Sequence, residues 1–480
     1  MLSPEQARKL VKDELFPAWE RERKHLDWID RWLRWQQEDL PLPRKTTREH
    51  RALAKLARVP WLSLVVTATA QAMYVDGYRS RLDPAGPTDD ALDGQEPSPP
   101  WRTWLANGMD RRQIAVHRSA LGYGYSFVKV LPGEDPVTGR SMSVIRGVSP
   151  RKMYALWEDA AEDDWPQFTL QVVEKTGDAF LVRVLDDTAE HELRVDDNGD
   201  AVTYLDGPRI HDAGVCPVVR YANMLDLDGR TPGEVEPHIP VAGRINKTSY
   251  DRLLTQHFNS WKVRTVAGMA EPDDDVSAER KKLQVRQDDI LIAEDPDTKF
   301  GSLEETPLEG FISAHRADVE TLAAVSQTPT HELTGQMANL SAEALAAARA
   351  SLNQKVTERQ KSFGASHAQM LRLAVALEGD EQYSADPTGR VTWQDMEIRS
   401  MSQAADALGK LVQMLGVPPT ATWGRIPGVE KTDVAEWIRL AEEGDPITRM
   451  QQQLERQRMS AEIAAREAAR PESTSDGVNA

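Results

Sequence analysis

From Ser341 to Leu377 the chain carries its strongest periodic signal. Leu345, Leu352, Val356, Phe363, Met370 and Leu377 advance by four or seven residues and mark one face of a single helix. Ordinary globular helices run roughly 8–20 residues, so an element this long sets the scale of whatever is built around it. Ser341 can cap it, and Glu343 suits a first turn beside the positive end of the helix dipole. Gly364 falls mid-helix, where glycine costs roughly 1 kcal/mol against alanine, and a kink is expected there.

The segments before it divide into a helical start and a β-rich middle. Residues 3–39 read as one long helix, or two in line, opened by a capping Ser3, Pro4 and Glu5. Leu15, Trp19, Leu26, Ile29 and Leu33 keep helical spacing, and Trp28, Trp32 and Trp35 form a second stripe, read as packing before recognition. Helices are expected over 46–57 and 61–74, the second ending at Asp76-Gly77, then a Pro/Gly/Asp-rich loop over 83–100 and a helix over 101–121. Gly122-Tyr-Gly124 reads as a helix stop. Alternating runs at 126–131, 141–148, 168–173, 179–185 and 191–195, punctuated by Pro132-Gly133, Thr138-Gly139 and Asn198-Gly199, predict antiparallel hairpins.

A helix over 237–260 and another over 309–326 bracket a mixed insert, 261–308, with strands at 261–266 and 289–293 and an acidic turn at 271–275. Thr328-Pro329-Thr330 breaks the second helix, and 328–340 reads as a loop in which Pro329 and Gly335 deny helix. Helices over 400–416 and 431–443 follow, then a polar helix candidate from 447 and a tail with too little apolar surface to order itself. The fold class is α+β, mainly helical.

Charge and motifs narrow the function. Lys and Arg number 58 against 76 Asp and Glu, so the net charge is 58 − 76 = −18, a field that repels nucleic acid instead of gripping it. The one cysteine, Cys216, excludes an internal disulfide framework and suits a reducing compartment. The most apolar window, Trp61 to Val75, is cut by Ser, Thr and Gln, and the first residues lack a signal-peptide core, so a soluble intracellular chain is expected. His331-Glu-Leu-Thr-Gly335 begins like a zinc-protease helix but has glycine where the second histidine belongs. Asp226-Leu-Asp228-Gly229 and Asp196-Asp-Asn-Gly-Asp200 lack the full ladder of a calcium loop and read as turns. No GxxxxGK[ST] and no GxSxG occurs, and Cys216 reads as a buried structural thiol. No catalytic residue, metal or cofactor is expected.

The order of features resembles the portal protein of tailed bacteriophages. Val59-Pro-Trp61 through Val65-Val66 to Met73-Tyr-Val-Asp-Gly77-Tyr is similar to an early wing segment of that family, with Thr67 where an acid is expected. Ile114 to Val130 resembles its helix-to-strand step and His238-Ile-Pro-Val-Ala-Gly-Arg-Ile-Asn246 its first stem helix. Gln327-Thr-Pro329 with Ala338-Asn-Leu-Ser-Ala342-Glu-Ala-Leu345 resembles its tunnel loop and the start of its long wing helix. The similarity spans roughly 20–440. It implies a wing (1–236 with 341–394), stem helices (237–262 and 309–327), a clip (263–308), a tunnel loop (328–340) and a crown (395–446), followed by a polar helix and disordered tail (447–480).

The resemblance further implies a homo-oligomeric ring, a dodecamer, at one capsid vertex. Double-stranded DNA would pass through its channel without sequence specificity during packaging and ejection. The implied partners are major capsid and scaffolding proteins, the terminase large subunit and a head-tail connector. The location is the virion, with host cytoplasm during assembly, and no membrane is involved. His331, Glu332, Gln336 and Asn339 would project toward DNA from the tunnel loop, the alternative being a disordered surface loop. Arg244, Lys247, Arg252, Lys262 and Arg264 would touch phosphate in the channel or pair with acids on neighbouring subunits. Arg280, Lys281 and Lys282 in the clip would face solvent or a partner. A head-maturation nuclease or peptidase with an unrecognised site is the competing class; chelation-sensitive activity would favour it.

Overall fold

The computed structural model describes residues 1–37, 47–82, 97–135, 138–260, 264–267, 299–302, 306–335, 342–394 and 401–424, with scattered positions to 441. The expected strand at 289–293, the acidic turn at 271–275, the polar helix and the tail lie outside them. The fold is α+β and mainly helical. The chain forms two compact units, Met1–Ala72 with Ile114–Lys129 and Arg146–Phe363, and Met73–Gln113 with Val130–Ile145 and Gly364–Ala480.

In the first unit the chain begins with a reciprocal cap. Gln6 N–H donates to the Ser3 hydroxyl while Ser3 N–H donates to the Gln6 side chain. Helix Pro4–Leu10 continues through a π-turn, Val11–Leu15, into helix Phe16–Leu33, several residues short of the expected end. Ala7, Val11, Leu15, Phe16 and Trp19 lie on an antiparallel sheet, packing on Leu170, Val172, Phe180, Val182, Val184, Leu193 and Val195. That sheet runs Met153–Leu156, Phe168–Thr176, Ala179–Leu185, Ala189–Asp196 and Val202–Tyr204, with Arg209–Ile210 also pairing on Ala189–Asp196. The Trp19 ring meets Phe180 edge-on at 5.5 Å and its indole N–H donates to the Arg151 carbonyl at 3.1 Å. Trp19 packs as the spacing implied, whereas Trp28 and Trp35 of the second stripe are exposed, at 36% and 51%, which corrects the packing expected of them. Strands 153–156, 202–204 and 209–210 escape the sequence pattern because two to four residues carry no measurable alternation.

The second unit corrects two expectations. The third helix ends at Gln71 and not at Asp76-Gly77, because Val75–Arg79 is a strand antiparallel to Arg390–Trp393. Gln113 holds its start, accepting from Val75 N–H at 2.7 Å and donating to Val75 O at 3.1 Å. A partner more than 300 residues away leaves no local trace. The helix expected over 101–121 is two, Pro99–Ala106 and Met109–Tyr123, broken where Gly108 takes φ +58°. Asn107 at the break donates to Ser143 O and accepts from Ile145 N–H, each at 2.9 Å. Its side chain exchanges helix continuity for strand pairing.

Ala342–Leu377 is one helix of 36 residues, and it runs through Gly364. In the second unit its last turns meet Trp104 and Trp393 through His367, and Ser143 Oγ donates to Ala374 O at 2.6 Å. Residues 48–71 have the composition of a membrane span only if read as one helix. They are two, Arg48–Leu56 and Trp61–Gln71, parted at Pro60; the longer spans about 16 Å, roughly half a bilayer core.

Cys216 is buried, 3.7 Å from Thr169 Oγ1, and burial pushes its thiol up to about 12. Because the folded value lies above the ordinary one, the thiol stays protonated through mildly alkaline pH, and thiolate is the reactive form. The native chain at pH 8.5 should leave a thiol-reactive chromophore unreacted over an hour, and the denatured chain should react with it within minutes. Rapid reaction of the native chain would place Cys216 at the surface.

Candidate functional site

Helices Ile239–Asn259 and Glu309–Val325, flanking the insert, pack against each other, and the first also carries helix Arg48–Leu56 through Ala54, Ala57 and Tyr250. Arg244 pairs with Asp318 of the opposite helix at 2.7 Å. Lys247 pairs with Asp251 one turn on. Arg252 stands close enough to His315 to help lower its pKa, burial being the larger cause. Arg244, Lys247 and Arg252 therefore share the helix pair, the first two matched by acids of their own chain. Arg264 belongs to a strand, Arg264–Ala267, paired with Lys299–Ser302. Lys262, Arg280, Lys281 and Lys282 lie outside the described residues.

The turn after the second flanking helix is tightly built. Gln327 takes φ +54°, a left-handed conformation uncommon outside glycine, and Thr328 and Pro329 are buried beside it. Residues 330–334 then form a short helix, which corrects the loop expected there. Proline at the entry lacks only a donor that helix starts leave unused anyway. Gly335, at φ +67°, ends the turn with its N–H donating to His331 O at 2.9 Å. The residues thought to forbid helix bound one. Leu333 is buried, Glu332 pairs with Arg349 of the long helix at 2.9 Å, and His331 is half-exposed beside a cavity lined also by Arg316, Thr328 and Ser351. Gln336 and Asn339 lie outside the described residues.

What holds this assembly is a group of buried charges that the spacing argument passed over. Glu234, Lys355 and Arg359 expose 5%, 2% and 4% of their side chains. The Glu234 carboxylate meets Lys355 Nζ and Arg359 Nη2, each at 3.3 Å, and Asn223 Nδ2 at 3.4 Å. Lys355 also donates to Ser326 O at 2.7 Å, at the C-terminus of the second flanking helix. Burial pulls the Lys355 ammonium pKa down, while Glu234 opposes the shift. Glu234 N–H is fixed in turn by Leu121 O at 2.7 Å. The backbones approach closely there: a Cβ on Gly233 would sit 2.6 Å from Gly124 N, and Gly124 has φ +101°. Ser362 Oγ donates to Ala222 O at 2.8 Å, and Phe363 stacks on His117 at 5.2 Å. A sequence signal existed: Arg359 lies seven residues after Leu352, a charge on the apolar stripe itself.

The turn readings hold. Asp226 accepts from the N–H of Asp228 and Arg230, and Asp196 from Ala201 N–H. Among the described residues no three His, Cys, Asp or Glu side chains gather as metal ligands.

Three large apolar residues on the flanking helices are exposed: Phe258 at 56%, Ile312 at 52% and Val325 at 54%. Isolated exposed apolar residues are ordinary; Ile312 and Val325 stand about 20 Å apart along their helix, so these are separate spots and not one patch.

A family model described as "Phage portal protein, SPP1 Gp6-like" matches residues 12–457. The portal proteins of Mycobacterium phage L5 and Mycobacterium phage D29 are each 25% identical over 372 residues, covering 74% of this chain and 72% and 73% of theirs.

Removing the carboxylate of Glu234 leaves the buried Lys355 ammonium without its carboxylate and Arg359 with Glu358, at 3.1 Å; breaking a buried pair typically costs about 3–5 kcal/mol. Glu234→Gln should lower the urea midpoint of the first unit accordingly, whereas Lys247→Gln at an exposed pair should cost less than about 1 kcal/mol. Equal effects in the two variants would deny the buried group its structural weight.

Proposed function

Because the chain belongs to the phage portal protein family, we propose that its copies close into a ring, a dodecamer on the family's pattern, at one vertex of a capsid. Double-stranded DNA passes through the axial channel during packaging and ejection. The terminase large subunit and a head-tail connector dock on the ring, and capsid and scaffolding proteins surround it. The chain itself is structural. In this reading the wing is 1–236 with 341–394, the stem 237–262 with 309–327, the clip 263–308, the tunnel loop 328–340 and the crown 395–446.

The family match over 12–457 carries the proposal. Physical features of the chain support it. A neighbouring copy seated on the stem would cover Phe258, Ile312 and Val325, and each such side chain is worth about 1.5–3 kcal/mol when fully buried. A net charge of −18 makes a channel that DNA slides through with few lasting contacts. Arg244 and Lys247, already matched by Asp318 and Asp251, add little grip. They would serve the ring as structural charges before serving as phosphate ligands. His331 remains the described tunnel residue best placed to reach DNA, since Glu332 is engaged by Arg349.

Complementation of a phage lacking its own portal gene tests this. The full chain should restore DNA-filled heads. A triple variant, His331→Ala with Gln336→Gly and Asn339→Gly, leaves Leu333 and Glu332 untouched. It should form rings and empty heads while encapsidated DNA per particle falls about tenfold. Normal filling would remove these residues from the channel's work, and loss of rings would make the segment structural instead.

A further inference from the structure

Away from the stem, in the first unit, a cavity of about 680 Å³ opens between the helix Phe16–Leu33, strands Tyr125–Glu134 and Met153–Leu156, and the turn Asp226–Arg230. Its size is that of a small-ligand site. Aromatic rings dominate the wall: Tyr125, Phe127, Tyr154 and Trp157. Of the three carboxylates in the lining, Asp226 pairs with Arg230, and Glu22 and Glu236 stand beside the rings. Glu22 accepts a hydrogen bond from the Tyr125 hydroxyl at 2.8 Å, and Glu236 faces His25 at 3.4 Å. Among the described residues no lysine or arginine pairs with either. The guanidinium groups of the wall already have partners within it. Arg230 is held by Asp226 and Asp228, each at 2.8 Å. The Arg220 guanidinium lies 4.3 Å from the Trp157 ring centre and donates to Ala160 O at 2.6 Å.

Aromatic faces carry a negative quadrupole and attract cations, most of all where water is partly excluded. Carboxylates beside them add charge-assisted hydrogen bonds. We propose that this cavity binds an organic cation, a primary ammonium or guanidinium group, between the Tyr125, Tyr154 and Trp157 rings and the Glu22 and Glu236 carboxylates. The Arg220–Trp157 stack shows that this wall already accepts one guanidinium on an aromatic face. Two sources share the chemistry: a lysine or arginine side chain of another protein segment, and a free polyamine.

Calorimetric titration of the full chain with three probes tests the assignment: spermidine, a short lysine-containing peptide, and the same peptide with its lysine acetylated. The first or second should bind, and the acetylated peptide should bind at least about tenfold more weakly. Binding of peptide over spermidine identifies a protein side chain as the source; the reverse order identifies a free polyamine. The double variant Glu22→Gln/Glu236→Gln, which keeps an acceptor for Tyr125, should weaken the bound cation at least about tenfold. The acetylation comparison needs no variant and stands if that one fails to fold. Equal binding of the acetylated peptide, or no heat from either cation up to about 10 mM, would overturn the proposal.

Discussion

One buried carboxylate joins three segments that are remote in sequence. Glu234 precedes the first flanking helix, Lys355 and Arg359 belong to the long helix, and Ser326, whose carbonyl takes Lys355, closes the second flanking helix. Two cations and one carboxylate taken from water are costly to bury, and their mutual attraction offsets that only in one arrangement. A slip of the long helix by a turn would part Glu234 from both cations. This makes the group a register pin more than a source of stability. Ser326, whose carbonyl takes Lys355, is followed directly by the left-handed Gln327 and then by the short helix 330–334.

Such a pin bears on the proposed function. In the proposed ring the flanking helices would meet changing loads as DNA moved, and a segment between them and a 36-residue helix would need fixed anchors if only a short stretch were to move. The described part of the tunnel segment is anchored twice, by buried Leu333 and by the Glu332–Arg349 pair. In the proposed ring, whatever this segment presented to the channel would stand on a firm base. Arg244 likewise pairs with Asp318, so that cation ties the two flanking helices together.

Much of this was legible in the sequence, and the limits have physical reasons. The long helix, the paired helices around the insert and the main hairpins followed from periodicity, because each buries a regular face. Cys216 and the Asp turns were read correctly from their neighbours. The strand at Val75–Arg79 was not, because its partner is Arg390–Trp393 and its clamp is Gln113, and no local pattern records either. The helix 330–334 was hidden by a proline and a glycine read as breakers when their positions made them a start and a stop. The Glu234 group was missed because apolar spacing was searched and charge on the stripe was not. The aromatic cavity is assembled from four separate segments, a convergence that only the fold reveals.

Cryo-electron microscopy of the purified full chain tests the central claim most directly. The account predicts closed rings with an axial channel, helices Ile239–Asn259 and Glu309–Val325 beside that channel, and Phe258, Ile312 and Val325 covered by the neighbouring copy. A channel-free particle, or a ring in which those three side chains remain in solvent, would contradict it.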